Sequence, residues 1–204
     1  MKILAISDPH DHKKVFPVIK KKASSADLIL LAGDFTFFEQ DLVKILQNFN
    51  TLGKPVLIIP GNHEDPKNIQ QASDAFDNIF YINGSLYNSG NLSVLAYEGN
   101  GFARHDEKFD EAVKDYIPLI KKRKKALGDD FLFVLMTHAP PYGTALDVAY
   151  ADEHSGNKSI RHFIEQMQPD YAISGHIHET FGKQDKIGNT VVINPGPEGM
   201  IITL

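Results

Sequence analysis

The sequence predicts an α/β protein built on more than one β-sheet. Short apolar runs alternate with amphipathic stretches through the first third of the chain. Two later stretches carry hairpin turns, and the C-terminal end reads as strand. No fixed-period repeat, low-complexity tract or Pro/Gly/Ser linker divides the 204 residues, so a single domain over residues 1–204 is expected.

In chain order, residues 2–7, 27–32, 56–59, 131–137 and 171–174 are short apolar runs of the kind that form buried strands. Leu42, Ile45, Leu46 and Phe49 fall at i, i+3, i+4 and i+7, the stripe of an amphipathic helix. Asp65-Pro66 reads as an N-cap with a first-turn proline, opening a helix toward Ala75. Residues 86–97 read as a hairpin turning at Asn88-Ser89-Gly90-Asn91. Residues 107–127 read as helix, with Pro118 kinking or splitting it near Ile117. The basic run Lys121 to Lys125 reads as the solvated face of that helix. Ile160, Phe163, Ile164 and Met167 repeat the helical stripe behind a cap at Asn157 or Ser159. Residues 180–193 form a second hairpin turning at Gly188-Asn189, and residues 200–204 a final strand.

Composition narrows the function. Hydrophobic residues are 42% and charged residues 23%, ordinary globular usage that argues against disorder. The net charge of −5 argues against sequence-blind binding to nucleic acid or to an anionic membrane. The absence of Cys excludes disulfides, thiolate metal sites and cysteine nucleophiles. The apolar start is interrupted by Asp8, too early for a signal-peptide core, and runs such as residues 131–136 are far short of a membrane span. A cytoplasmic protein is expected.

The informative feature is the polar cluster that ends each apolar strand. The first strand runs into Asp8-Pro9-His10, the second into Gly33-Asp34 and the third into Gly61-Asn62-His63-Glu64. The fourth runs into His138 and the fifth into Gly175-His176-Ile177-His178. In open α/β sheets ligands sit at the carboxyl ends of the strands, so these five clusters should converge. Converging carboxylates and imidazoles need a neutralising charge, which a pair of divalent cations supplies. Oxygen donors mixed with imidazole nitrogen suit Mn, Fe, Ni or Zn. The glycines let the backbone turn sharply beside the metals.

The ordered set Asp8-x-His10, Gly33-Asp34, Gly61-Asn62-His63-Glu64, His138, Gly175-His176-x-His178 resembles the calcineurin-like metallophosphoesterase superfamily. The stretches Thr137 to Asp147 and Lys186 to Gly196 are similar to its small prokaryotic and archaeal branch. The resemblance implies a four-layer αββα sandwich of two mixed β-sheets, with a dimetal site at the carboxyl-terminal edge of the strands. It implies that Asp8, His10, Asp34 and His178 hold one metal and that Asp34, Asn62, His138 and His176 hold the other, with Asp34 bridging. Manganese is the expected ion, with Fe, Ni or Zn as alternatives. A metal-bridging hydroxide would attack phosphorus, and His63 would serve as general acid for the leaving alcohol. Glu64 or Asp65 would orient His63, unless they cap the adjoining helix.

Other residues are weaker candidates. Asn62, Arg104 and His105 are candidate substrate contacts, and residues 98–106 are either a lid or an ordinary surface loop. His12, His154 and His162 read as surface residues. Phe35, Phe37 and Phe38 read as a buried cluster at a helix entry in preference to a stacking face for a base. Gly33-Asp34 is not followed by the Asp-Arg pair usual in the superfamily's protein phosphatases, and the chain has only three Arg. The missing bidentate clamp points to a phosphodiesterase on small nucleotide-like diesters. A phosphomonoesterase, a single-strand nuclease of the same fold and a silent metal-binding interaction module are the alternatives.

Overall fold

The computed structural model describes residues 1–10, 12–99, 101, 103–149 and 153–204. In chain order the strands are β1 (Lys2–Ile6), β2 (Leu28–Ala32), β3 (Val56–Ile59), β4 (Ile79–Tyr81), β5 (Ser85–Ser89), β6 (Leu92–Tyr97), β7 (Leu132–Thr137), β8 (Tyr171–Ile173), β9 (Gln184–Ile187), β10 (Thr190–Ile193) and β11 (Met200–Thr203). The helices are α1 (His12–Ala23), α2 (Leu42–Asn50), α3 (Pro66–Ser73), α4 (Glu107–Lys114), α5 (Tyr116–Leu127) and α6 (Lys158–Met167).

The strands form two mixed sheets, ordered β11-β1-β2-β3-β4 and β5-β6-β7-β8-β10-β9. In the first, β1 to β4 are parallel and β11 runs antiparallel to β1. In the second, β6, β7, β8 and β10 are parallel, with β5 and β9 antiparallel at the two edges.

Period-2 alternation divides each central strand between two apolar layers. Ile3, Ala5, Leu30 and Leu57 meet Val94, Val134, Met136 and Ile173 between the sheets. On the outer face of the first sheet, Leu4, Ile6, Leu31 and Ile58 pack on Ile19, Ile45, Leu46, Phe49 and Ile69 of α1, α2 and α3. On the outer face of the second, Leu135, Ala172 and Val192 pack on Phe109, Ile120, Ile160 and Phe163 of α4, α5 and α6. The result is the expected four-layer αββα sandwich. Strands buried on both faces need continuous apolar sequence, which is why the early runs carry no polar alternation.

Most local expectations hold. Asp65 accepts from the N–H groups of Lys67 and Asn68 with Pro66 in the first turn, and α3 ends at Ser73, two residues short of Ala75. Asn157 caps α6 by accepting from the Ile160 N–H. The 107–127 stretch does split, but at Asp115, and Pro118 sits in the first turn of α5, where its missing N–H costs no helical bond. The four lysines of the 121–125 run are exposed, whereas Arg123 folds back onto Ser93 Oγ and the Gly90 carbonyl. No helix among the described residues is long and apolar enough to cross a membrane.

Candidate metal centre

The carboxyl ends of β1, β2 and β3 in one sheet and of β7 and β8 in the other lie side by side. The Asp8 N–H donates to the Gly33 carbonyl at 3.1 Å and the Gly175 N–H to the His138 carbonyl at 3.0 Å. His138 bridges the sheets, with Nδ1 2.8 Å from the Ala32 carbonyl. All five strand-end clusters therefore converge. Asp34 Oδ2 lies 3.8 Å from His10 Nε2, 4.0 Å from His63 Nε2 and 3.4 Å from His138 Nε2. Asp8 Oδ1 lies 3.6 Å from His178 Nε2. The rings of His138 and His176 are 5.2 Å apart and those of His10 and His178 5.3 Å apart.

Holding these side chains strains the backbone. Asp8, Asp34 and His176 have φ of 53°, 51° and 69°, the left-handed region that costs a non-glycine residue roughly 1–2 kcal/mol. Gly61 and Gly175 are required by close approach: a Cβ on either would fall on the carboxylate of Asp34 or of Asp8. The His176 N–H in turn donates to both Asp8 oxygens at 3.1 Å, and the His63 N–H to Asp34 Oδ1 at 2.9 Å.

The electrostatics call for a cation. Asp8 and Asp34 are buried, and among the described residues their only ion-pair partners are histidines. His10 Nδ1 lies 2.9 Å from the Thr36 carbonyl and His138 Nδ1 2.8 Å from that of Ala32. A carbonyl only accepts, so Nδ1 carries the proton in both rings. Each neutral imidazole then turns the lone pair of Nε2 toward Asp34 Oδ2. Two acceptors face each other, and His138 Nε2 is buried without a hydrogen bond to any described residue. Either a proton or a metal ion must lie between them.

Without metal, the proton takes that place. Burial opposes charging His138, but Asp34 and Asp8 outweigh it and push its pKa up to about 9. Burial likewise disfavours the Asp34 carboxylate, yet His138, the His63 N–H and His10 hold its pKa well below the usual range. His176 is pushed down to about 4, by burial first and by the His138 charge second. His178 is raised by its interaction with Asp8. His63 is lowered, by burial first, with Asp34 opposing and the charges of His10, His138 and His178 adding to the fall.

Glu64 has a different task from the one expected. Its Oε2 accepts from the Asp34 and Gly61 N–H groups, and its Oε1 from the Thr36 N–H and hydroxyl. It ties β2's outgoing loop to β3's, and its carboxylate makes no hydrogen bond to the His63 ring among the described residues. Asp65 caps α3. Among the described residues the Nδ1 of His63 has no hydrogen-bond partner, so neither carboxylate orients that ring. The pattern Asn-His-Glu-Asp does not distinguish a carboxylate aimed at a neighbouring ring from one aimed at backbone across the gap.

A cavity of about 560 Å³ opens beside Asn62, lined by Gly61, Glu64, Glu98, Gly101, His105 and Asp106 among others. His105 thus joins Asn62 at the site. Arg104 does not: its guanidinium donates to the His154 carbonyl and lies over the Tyr142 ring. Gly101 is buried against His176 and Asn62, so the 98–106 segment does reach the site. Asn100 and Phe102 of that segment, and the His12 side chain, lie outside the described residues. His154 is half-exposed and bonded through Nδ1 to Asp147, and His162 is exposed.

The family model described as calcineurin-like phosphoesterase matches residues 1–180. The chain belongs to the calcineurin-like phosphoesterases. It is accordingly a metal-dependent phosphoester hydrolase, and the Asp and His groups gathered here fit the divalent ions that the family implies. This calcineurin-like phosphoesterase is 29% identical over 208 residues to the protein MJ1162 of Methanocaldococcus jannaschii, covering 99% of this chain and 91% of that one. Its fold is similar to that of the protein TT1561 from Thermus thermophilus, at a TM-score of 0.66 and 18% identity over 96% of this chain and 88% of that one. A dimetal phosphatase from Danio rerio shares the fold at a TM-score of 0.65 and 8% identity, over 95% and 86% of the two chains.

Proposed function

We propose that this calcineurin-like phosphoesterase is a dimetal phosphodiesterase acting on small nucleotide-like diesters in the cytoplasm, with manganese as its ion. Asp8, His10, Asp34 and His178 would hold one ion, and Asp34, Asn62, His138 and His176 the other. The bound ions supply an activated water and positive charge for the phosphoryl oxygens. Thr36 and Ala32 fix the His10 and His138 rings through their Nδ1 atoms, which leaves the Nε2 lone pair of each to face a metal ion. The His63 N–H holds Asp34 Oδ1, and its ring stands beside the His10 ring at a centroid distance of 4.7 Å. From there His63 would give its proton to the leaving ester oxygen, which departs as the alcohol.

The cavity wall carries the diester reading. Glu98, Asp106 and Glu107 line it, against Lys108 as the one Lys or Arg among its described lining residues. Such a wall disfavours the dianion of a phosphomonoester more than the single charge of a diester. It also disfavours a polyanionic strand. The test is hydrolysis of bis-p-nitrophenyl phosphate beside p-nitrophenyl phosphate, with protein stripped of metal and then restored with Mn²⁺. Metal-dependent cleavage of the diester is expected. Cleavage of the monoester alone would move the assignment to phosphatases, and no cleavage of either by metal-loaded protein would overturn it in favour of a binding module.

A further inference from the structure

Two phenylalanines stand in solvent beside the centre. Phe37 is 52% exposed and Phe38 66% exposed, while Phe35 is fully buried. The expected buried cluster therefore holds for Phe35 alone. Both exposed rings pack on His63: Phe38 at a centroid distance of 4.3 Å and Phe37 at 5.4 Å, with 5.0 Å between the two.

Their exposure is built in. On one side, the Thr36 N–H and hydroxyl are fixed by buried Glu64. On the other, the Glu39 N–H donates to Thr36 Oγ1 and its carboxylate accepts from the Asp65 N–H and from Asn68 Nδ2. Between these anchors Phe38 adopts φ 48°, and Glu39 comes next at 62°. A bulky residue in the left-handed region is a strained choice, and here it turns an apolar ring outward and not inward. An adjoining pair of large exposed apolar side chains at a site rim marks a contact surface.

We propose that Phe37 and Phe38 form a stacking platform for a planar aromatic group, such as a nucleobase, on the leaving alcohol of the substrate. This rests on the phosphodiesterase reading, in which His63 gives its proton to the leaving ester oxygen. A group that hands its proton to the leaving oxygen touches that oxygen, so the rings packed on His63 meet what the oxygen carries. The cavity beside Asn62 contains neither Phe37, Phe38, His10 nor His63 in its lining, so it is left for the other ester substituent.

The test uses Mn²⁺-loaded protein and two methyl phosphodiesters of matched leaving-group acidity, one aryl and one fluoroalkyl. Wild type should favour the aryl ester in kcat/KM, and Phe37→Ala/Phe38→Ala should lower that preference roughly tenfold, the scale of losing one aromatic stack. Phe37→Leu/Phe38→Leu, which keeps apolar bulk without a ring, should fall in between. A preference ratio unchanged in the Ala variant would overturn the platform and leave the pair as a surface for another protein. Where neither ester is cleaved, the phosphodiesterase reading fails, and binding decides the platform separately. Benzylphosphonate should then bind wild type more tightly than ethylphosphonate, with the advantage lost in the Ala variant. No advantage, or one that survives the substitution, would overturn it.

Discussion

His138 sets its Nε2 3.4 Å from Asp34 Oδ2 while its Nδ1 lies 2.8 Å from the Ala32 carbonyl. The contact joins the two sheets, because Ala32 ends β2 and His138 comes directly after β7. It also makes one imidazole the place where proton and metal ion exclude each other.

Metal binding should therefore release a proton from His138. Its pKa stands at about 9 in the metal-free protein, above the ordinary 6.5. At pH 7.5 the ring is protonated, and binding must displace about one proton from it. His176, at about 4, is already neutral and adds none. Titration calorimetry in buffers of different ionisation enthalpy reads the total released, to which His178, raised by Asp8, and the activated water add, so no fewer than about one proton per chain is expected. Affinity should rise with pH up to about 9 and then level. The sign for stability is the opposite: a raised histidine pKa stabilises the metal-free fold fully below 6.5, and the gain disappears as pH rises through 9. Metal-free protein whose melting temperature is flat from pH 6 to 10 would refute the pairing.

Asp34→Asn should cost both ions. The carboxylate is common to the two proposed ligand sets, so the loss should exceed the roughly 10–100-fold drop in affinity typical of an outer hydrogen-bonding partner. The amide can still accept the His63 N–H, but it carries no charge to pair with the protonated His138 ring, so the metal-free variant should melt below wild type at neutral pH, with the gap closing as pH rises through 9. Metal analysis and thermal melts check both halves. Two ions retained per chain would remove Asp34 from its bridging place.

The five strand-end clusters are legible in the sequence for a physical reason. A parallel strand buried on both faces admits no polar residue, so Asp8, Asp34, Asn62, His138 and His176 stand out where the apolar runs stop. What the side chains do after that point is not legible. Glu64 adjoins His63 in sequence but serves backbone donors of another loop, and only the approach of β2 and β3 reveals it. Phe37 and Phe38 carry the residue type of a core, and their outward turn depends on anchors at Thr36 and Glu39 whose own partners are distant in sequence. The three-residue β4 is too short for a periodicity to register. Residues 107–127 break at Asp115 because Pro118 fits the first turn of a new helix better than the middle of an old one.

Glu64→Gln should destabilise the fold although it conserves shape. Each carboxylate oxygen of Glu64 serves two donors, and Gln offers only one oxygen. Its NH₂ would face either the Asp34 and Gly61 N–H groups or the N–H and hydroxyl of Thr36. A buried donor left without an acceptor costs ~1–3 kcal/mol, so a loss of about 2–4 kcal/mol is expected. In a chain of this size that lowers Tm by roughly 4–16 °C. Burial raises the Glu64 pKa against the pull of those donors, so a neutral side chain alone is tolerable and the lost acceptor is the damaging change. Equal melting temperatures would mean that water replaces the missing acceptor.

His63→Ala should separate metal binding from proton transfer. No proposed ligand set includes His63, and its backbone N–H to Asp34 survives the substitution, so metal content should stay at the wild-type level. The rate on diesters with poor leaving groups should fall by about 10²–10⁴, the usual contribution of a general acid. Diesters of p-nitrophenol, which leaves without a proton, should lose far less. Burial and the neighbouring histidines lower the His63 pKa, so its acid form thins out as pH rises, and the wild-type rate on poor leaving groups should carry a descending limb. That limb should be absent from the variant. An equal loss on good and poor leaving groups, with the limb intact, would assign the proton to another donor.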